Sequence, residues 1–266
     1  MIDFPVGIST TISGAVVGLV LGLVGGGGSI LAVPLLVYAV GVTSPHVAIG
    51  TSAIAVSLSA LGNVVSHARA GNVKWRCAAV FASAGVVGAV AGSTVAKALD
   101  GQKLLVLFGA LMIVVGLAML RKRSAAGNPE VRLSMTTARE LLPLLIAIGF
   151  TVGLLSGFFG IGGGFLIVPG LMLATRMPLT TAIGTSLVAV AAFGAATAAS
   201  YAVSGMIDWP IASLFVLGGL VGGIAGVAFG KALAAKKRAL NRTFSCLVIL
   251  VGLYVVARGT ATLFAA

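Results

Sequence analysis

Two glycine clusters carry most of the chemistry this chain can offer. "GGGGS" spans Gly25 to Ser29 and "GIGGG" spans Gly160 to Gly164, and each leads into a short apolar segment ending in L-x-V-P, Leu31 to Pro34 and Leu166 to Pro169. Glycine reaches backbone angles closed to other residues and lets a ligand approach the peptide N–H groups. A helix that starts directly after such a cluster presents free N–H donors and the positive end of its dipole, which together make an anion site without a charged side chain. The candidate cradle residues are therefore Gly25, Gly26, Gly27, Gly28 and Ser29 in one cluster, and Gly160, Gly162, Gly163 and Gly164 in the other. Ser29 adds a hydroxyl where Gly164 stands in the second cluster, so asymmetry in detail is expected. A dinucleotide fingerprint fails in both, because the third glycine of G-x-G-x-x-G falls on Ile30 and on Phe165. Close helix packing is the competing role for such glycines.

The run "AIGTS" occurs twice, at Ala48 to Ser52 and at Ala182 to Ser186. Its Gly50, Thr51, Ser52 and Gly184, Thr185, Ser186 are further binding candidates, since hydroxyls donate to oxyanions without the desolvation cost of a buried cation. Capping and helix–helix hydrogen bonding remain equally open for them. Asn63 and His67 match Thr197 and Tyr201 in the other copy, as pathway-lining groups or as interfacial ones; for His67 the nearby Arg69 favours the interface. Trp75 and Trp209 read as interfacial anchors. The five carboxylates, Asp3, Asp100, Glu130, Glu140 and Asp208, all fall outside the expected spans, which leaves no acidic relay at depth. Neither paired carboxylates nor a nucleophile–base set can be assembled, so no enzyme is expected. Cys77 and Cys246 have no metal-ligand spacing, and no metal or cofactor is expected. Na⁺ on backbone carbonyls, a proton on His46 or His67, and uncoupled movement all stay open.

What positions these residues must be a membrane bundle. The chain is 59% hydrophobic and 8% charged, against about 25% charged for a soluble domain. Apolar runs long enough to cross a bilayer lie at 8–24, 47–66, 77–96, 104–120, 142–159, 182–203, 211–230 and 244–264. The 38 glycines suit an all-α polytopic bundle whose helices approach closely. A net charge of +12 raises nucleic acid as a partner, but Arg121-Lys122-Arg123 and Lys236-Lys237-Arg238 sit between spans and read as topology signals; no nucleic acid is expected. Met1-Ile2-Asp3-Phe4-Pro5 has no basic n-region, so the first apolar segment is expected to be retained.

The second half repeats the first. Pro34 and Pro169 are 135 positions apart, while the two AIGTS runs, Gly71 to Trp75 with Gly205 to Trp209, and Lys97 with Lys231 all match at 134. The reading is a first repeat over 1–120, a basic linker over 121–141 and a second repeat over 142–266. Within each repeat the glycine-led segment, about 12 residues, rises only about 18 Å as a helix and cannot cross alone. It is read as half of a re-entrant hairpin followed by three crossings, and an odd number of crossings inverts the second copy. The inverted model places the linker and the cluster from Lys231 to Arg242 inside, with both termini outside.

On these features the chain resembles the TauE/SafE sulfite exporter family of bacterial, archaeal and plant membrane proteins, over nearly its whole length. The resemblance rests on the duplicated glycine segment ending in L-x-V-P, both AIGTS runs and both G-x-Φ-x-W elements, where Φ is apolar. It implies a multi-pass inner-membrane permease for sulfite, sulfoacetate, another organosulfonate or a related small sulfur anion, in export or uptake. An anion channel and a non-transporting scaffold are the alternatives. The partners expected are a small anion and the bilayer, with homo-oligomerisation and the coupling ion left open.

Overall fold

The structure, a computed structural model, describes residues 4–24, 26–120, 135–160, 162, 164–232 and 237–265. Among the described residues the secondary structure is entirely helical, as lipid demands of a chain that must satisfy its backbone internally. In chain order, α1 is Phe4–Val24. The next element, α2, is composite: a 3-10 stretch Gly26–Leu31, one α turn Ala32–Pro34 and a π turn Leu35–Val40. Then come α3 (Pro45–Arg69), α4 (Trp75–Lys97), α5 (Gly101–Leu120), α6 (Met135–Phe159), α7 (Gly164–Thr175), α8 (Leu179–Val203), α9 (Trp209–Ala232) and α10 (Lys237–Ala265). All but α2 and α7 are long and apolar enough to cross a membrane, eight in total. The chain is an all-α polytopic membrane protein.

Helix ends follow local chemistry. Ser44 caps α3 by accepting from Val47 N at 3.5 Å, with Pro45 at the first helical position. Asp100 Oδ1 accepts from the N–H groups of Gln102 and Lys103 at the start of α5, at 2.9 and 3.2 Å. Asp208 Oδ1 accepts from Ile211 N at 3.0 Å at the start of α9. Two of the five carboxylates are thus helix caps. Expected boundaries shift outward: α6 starts at Met135, not near 142, which brings Arg139 and Glu140 into its exposed first turns, and α10 starts at Lys237, not near 244. An apolar run stops at the first charge, whereas the helix continues through Ala138, Arg139 and Glu140, all good helix formers. Of the basic linker, residues 121–134 lie outside the described residues.

Two seams of backbone contact cross between the halves. A Cβ on Gly14 or Gly18 of α1 would run into the carbonyl oxygens of Phe215 or Gly219 of α9, and one on Gly222 into Ala15 O. In the same way, Gly88 and Gly92 of α4 face Phe150 O and Leu154 O of α6, while Gly153 and Gly157 face Gly85 O and Ala89 O. Residue numbers rise together along both seams, so each pair is parallel. α3 lies along α9 in the same sense, with Ser59 against Gly219 and Asn63 against Gly223. Hence α1 and α3 share a direction, and α2 between them returns the chain to the side it left. In the second half α6 and α8 both run with α4 (Gly153 and Gly157 against Gly85 and Ala89, Phe193 and Ser200 against Gly85 and Ser93), and α7 makes the matching return.

The matched helices of the two halves meet head to tail. Gly50 of α3 lies beside Tyr201 of α8, Ser57 Oγ donates to Ala191 O at 2.7 Å, and Gly184 lies beside Asn72. α5 and α10 pair likewise, with Gly116 near Ile249 and Gly259 near Val106. α3 and α8 are the most buried of the eight long helices. They also hold most of the buried polar side chains, including Thr51, Ser52, Ser57, Ser59, Asn63, Thr185, Ser186, Thr197 and Tyr201. The lipid-facing helices need no such groups, and the interior polar axis of the molecule is this crossed pair.

Candidate functional site

The second glycine cluster turns the chain between α6 and α7. Gly160 has φ +66° and Gly162 has φ +62°, left-handed angles that cost an L residue about 1–2 kcal/mol. Gly160 is closed in by Ile49 of α3, where any Cβ would strike its Cγ2. Its carbonyl oxygen accepts from Ser52 Oγ at 3.3 Å, and the same hydroxyl reaches Ile49 O at 2.9 Å. Gly162 lies between the two central helices: a Cβ there would sit 3.0 Å from Val56 Cγ1 and 3.5 Å from Val190 Cγ1. Val56 and Val190 are each the twelfth residue of a 25-residue helix, so this glycine is at mid-depth of the bundle. Gly164, buried, opens α7.

In the first cluster, Gly26, Gly27, Gly28 and Ser29 lie in the 3-10 stretch of α2. Gly28 is pressed to the backbone of α1, with its Cβ position 2.8 Å from Val17 O and in contact with Leu21 N. Ser29 is fully buried. The 3-10 stretch packs directly on α7, so the two glycine-led segments meet. The first segment therefore differs from the regular helix expected: the glycine run winds tightly, and after Pro34, which has no N–H for the ladder, the turn widens to π. Gly25 and Gly163 lie outside the described residues. Gly41 (φ +88°) and Arg176 (φ +56°), 135 positions apart, close the two segments in the same left-handed conformation. Among the described residues Arg176 alone adopts it without being glycine.

The AIGTS runs join the halves. Thr51 Oγ1 accepts from Asp208 N, and Thr185 Oγ1 from Lys74 N, both at 3.0 Å. Gly50 and Gly184 make room for the same loops, a Cβ on either running into Met206 O or lying 2.5 Å from Asn72 O. Each loop before α4 or α9 is thereby held by the other half's central helix. Replacing Thr51 or Thr185 with Val leaves a part-buried amide without its acceptor, and each change is expected to cost about 1 kcal/mol; thermal denaturation in detergent checks that the two losses are alike. Ser52 and Ser186 donate back to Ile49 O and Ile183 O, and Ser52 also reaches the glycine turn.

The pathway candidates divide. Asn63, Thr197 and Tyr201 are buried, and Asn63 Nδ2, Thr197 Oγ1 and Tyr201 Oη have no hydrogen-bond partner among the described residues. His67 is partly exposed near the end of α3, one turn from Asn63. Trp75 and Trp209 are the first residues of α4 and α9, both exposed. Sequence reading missed Ser57, whose bond to Ala191 O pins the helix crossing, and Ser156, whose buried Oγ has no partner among the described residues. Ser57 matches Ala191 in the other copy, so no paired signal marked it. Among the described residues no three His, Cys, Asp or Glu side chains gather where they could hold a metal.

Two glycine-led segments thus meet beside a crossed pair of polar helices. The family described as Sulfite exporter TauE/SafE matches residues 10–255. The chain belongs to this family. Among TauE/SafE relatives, a Xylella fastidiosa (strain 9a5c) protein named "Probable membrane transporter protein" is 51% identical over 263 residues, covering 97% of this chain and 98% of the relative. "Probable membrane transporter protein YunE" of Bacillus subtilis is 30% identical over 92% of this chain and 96% of its own length. No solved structure matches the chain. It is a multi-pass membrane transporter of the TauE/SafE family, and the earlier resemblance to that family holds.

Proposed function

We propose that this transporter moves a small sulfur oxyanion, sulfite or an organosulfonate such as sulfoacetate, between the N-terminal ends of α2 and α7. The observation that carries the reading is Gly162, held at a left-handed angle against Val56 and Val190 at mid-depth, two residues before the start of α7. Such a backbone offers N–H donors and a positive dipole end, which suit an oxyanion, and the Val56 and Val190 walls supply no competing charge. The packing of α2 on α7 supports a site shared by both halves, as in transporters built from broken helices in opposed repeats. Na⁺, proton and uncoupled modes are all compatible with it.

The head-to-tail meeting of α3 with α8 and of α5 with α10 supports two copies inverted across the inner membrane. With Arg69, Lys74, Arg76 and the segment from Lys231 to Arg242 inside, both termini face outside. Counterflow in proteoliposomes tests the transport reading. Labelled sulfite or sulfoacetate should enter faster when the same anion fills the lumen. Flux without that acceleration makes the protein a channel, and no flux makes it a scaffold. A reporter enzyme fused to the C-terminus should be active only outside the cytoplasm.

A further inference from the structure

Beyond the glycine turn lies a second polar cluster, on the side where α3 starts and α8 ends. His46 is the second residue of α3, Lys97 the last of α4, and Thr197 and Tyr201 lie one turn apart on one face of α8. The His46 and Tyr201 rings are 6.4 Å apart, and Lys97 Nζ stands 5.7 Å from the centre of the Tyr201 ring. Tyr201 and Thr197 are fully buried, yet Tyr201 Oη, Thr197 Oγ1 and His46 Nδ1 have no hydrogen-bond partner among the described residues. An interior polar atom left so is costly, and two such hydroxyls one turn apart on α8 call for a polar guest.

Charge decides the kind of guest. Lys97 Nζ donates to Ser200 O and Ser204 Oγ, each at 3.0 Å, which leaves a third ammonium N–H. Both hydroxyls can also donate. Of the carboxylates nearby, Asp100 is committed to the cap of α5, and Asp208, whose N–H Thr51 holds, to the cap of α9. His46 Nε2 lies 3.1 Å from Leu99 O, to which it must donate, and this ties the imidazole to the loop between α4 and α5. The cluster adjoins the transport site: Gly50, one turn along α3 from His46, lies 2.9 Å by its Cβ position from Tyr201 Cβ, and Ser52 just beyond it holds the Gly160 carbonyl.

We propose that Lys97, Tyr201 and Thr197, walled by His46, form a docking site where an oxyanion of the transported class binds before it reaches the glycine turn. The proposal rests on the transport reading above. It adds a site with a cationic side chain, on the side of the α4–α5 loop, which recruits the anion that the backbone site then receives.

Side-resolved flux in proteoliposomes tests it, with sulfite as the probe and external concentration varied on the side of the α4–α5 loop. Tyr201→Phe deletes one unpartnered hydroxyl and should fold at least as stably as the parent. Both Tyr201→Phe and Lys97→Gln should raise the half-saturating sulfite concentration about tenfold from that side, with the loss in half-saturation and not in maximal flux. Lys97→Arg, which keeps the charge, should restore most of it. If Lys97 serves only to hold Ser200 and Ser204, Lys97→Gln lowers the melting temperature while half-saturation stays put, and the proposal is overturned. Unchanged half-saturation in folded Tyr201→Phe overturns it as well, while parental flux leaves the transport reading standing. Absence of sulfite flux and binding in the parent protein overturns both.

Discussion

Gly162→Leu should reduce anion flux to background, at least about a hundredfold below the parent, in protein that still folds. Two costs meet at this residue. Its φ of +62° strains any L residue by about 1–2 kcal/mol. A Cβ there would already lie 3.0 Å from Val56 Cγ1, so the leucine body must enter the space in front of α7, where the proposed anion meets the backbone donors. The strain alone is modest, and Gly162→Ala separates it from occlusion: alanine should lose only a few degrees of melting temperature and a minor part of the flux. Flux of labelled sulfite, together with thermal unfolding of each variant, decides the matter. More than a tenth of parental flux in folded Gly162→Leu would remove the glycine turn from the transport site.

Gly153→Leu, by contrast, should prevent assembly altogether. A Cβ on Gly153 runs into the carbonyl oxygen of Gly85 and lies 2.5 Å from its Cα. The obstacle is backbone, not the movable end of a side chain. α6 and α4 must then part along the whole seam, and with them the contacts of Gly149 with Phe81 and Gly157 with Ala89. Overpacking of ordinary cores costs about 1–3 kcal/mol where neighbours can yield. Here they cannot, so monodisperse protein in mild detergent should fall below about a tenth of the parental yield. Gly205→Leu is the control, at a glycine of positive φ with nothing near its Cβ position; it should strain one turn and leave the bundle assembled. Normal size-exclusion behaviour of Gly153→Leu would disprove the seam.

These two glycines show what sequence could convey. The span list and the short segments after the glycine clusters were legible because lipid imposes length and apolarity residue by residue. The roles of individual glycines were not, because the same residue serves packing, as at Gly18 and Gly153, and a left-handed turn, as at Gly160 and Gly162. Only the neighbours tell these apart. Thr51 and Thr185 were legible as a repeated pair, but their partners, Asp208 N and Lys74 N, sit in the other half and are invisible to linear spacing. Lys97 was legible as a match to Lys231 and as a loop charge, but nothing in order along the chain places it over Tyr201. The composite winding of α2 came from Gly26 to Gly28 and Pro34 acting together, against a helical reading that α7 fulfils.

The crossed seams also set a schedule for biogenesis. α1 leaves the ribosome first, yet the helix whose backbone it must touch, α9, begins at Trp209. At a synthesis rate of about 5–20 residues per second, α1 waits roughly 10–40 s for its partner. During that interval Gly14, Gly18 and Gly22 offer lipid or an insertion factor a bare strip of peptide backbone. Neither half can complete its packing while the other is missing, so the two halves interdigitate obligately within one chain.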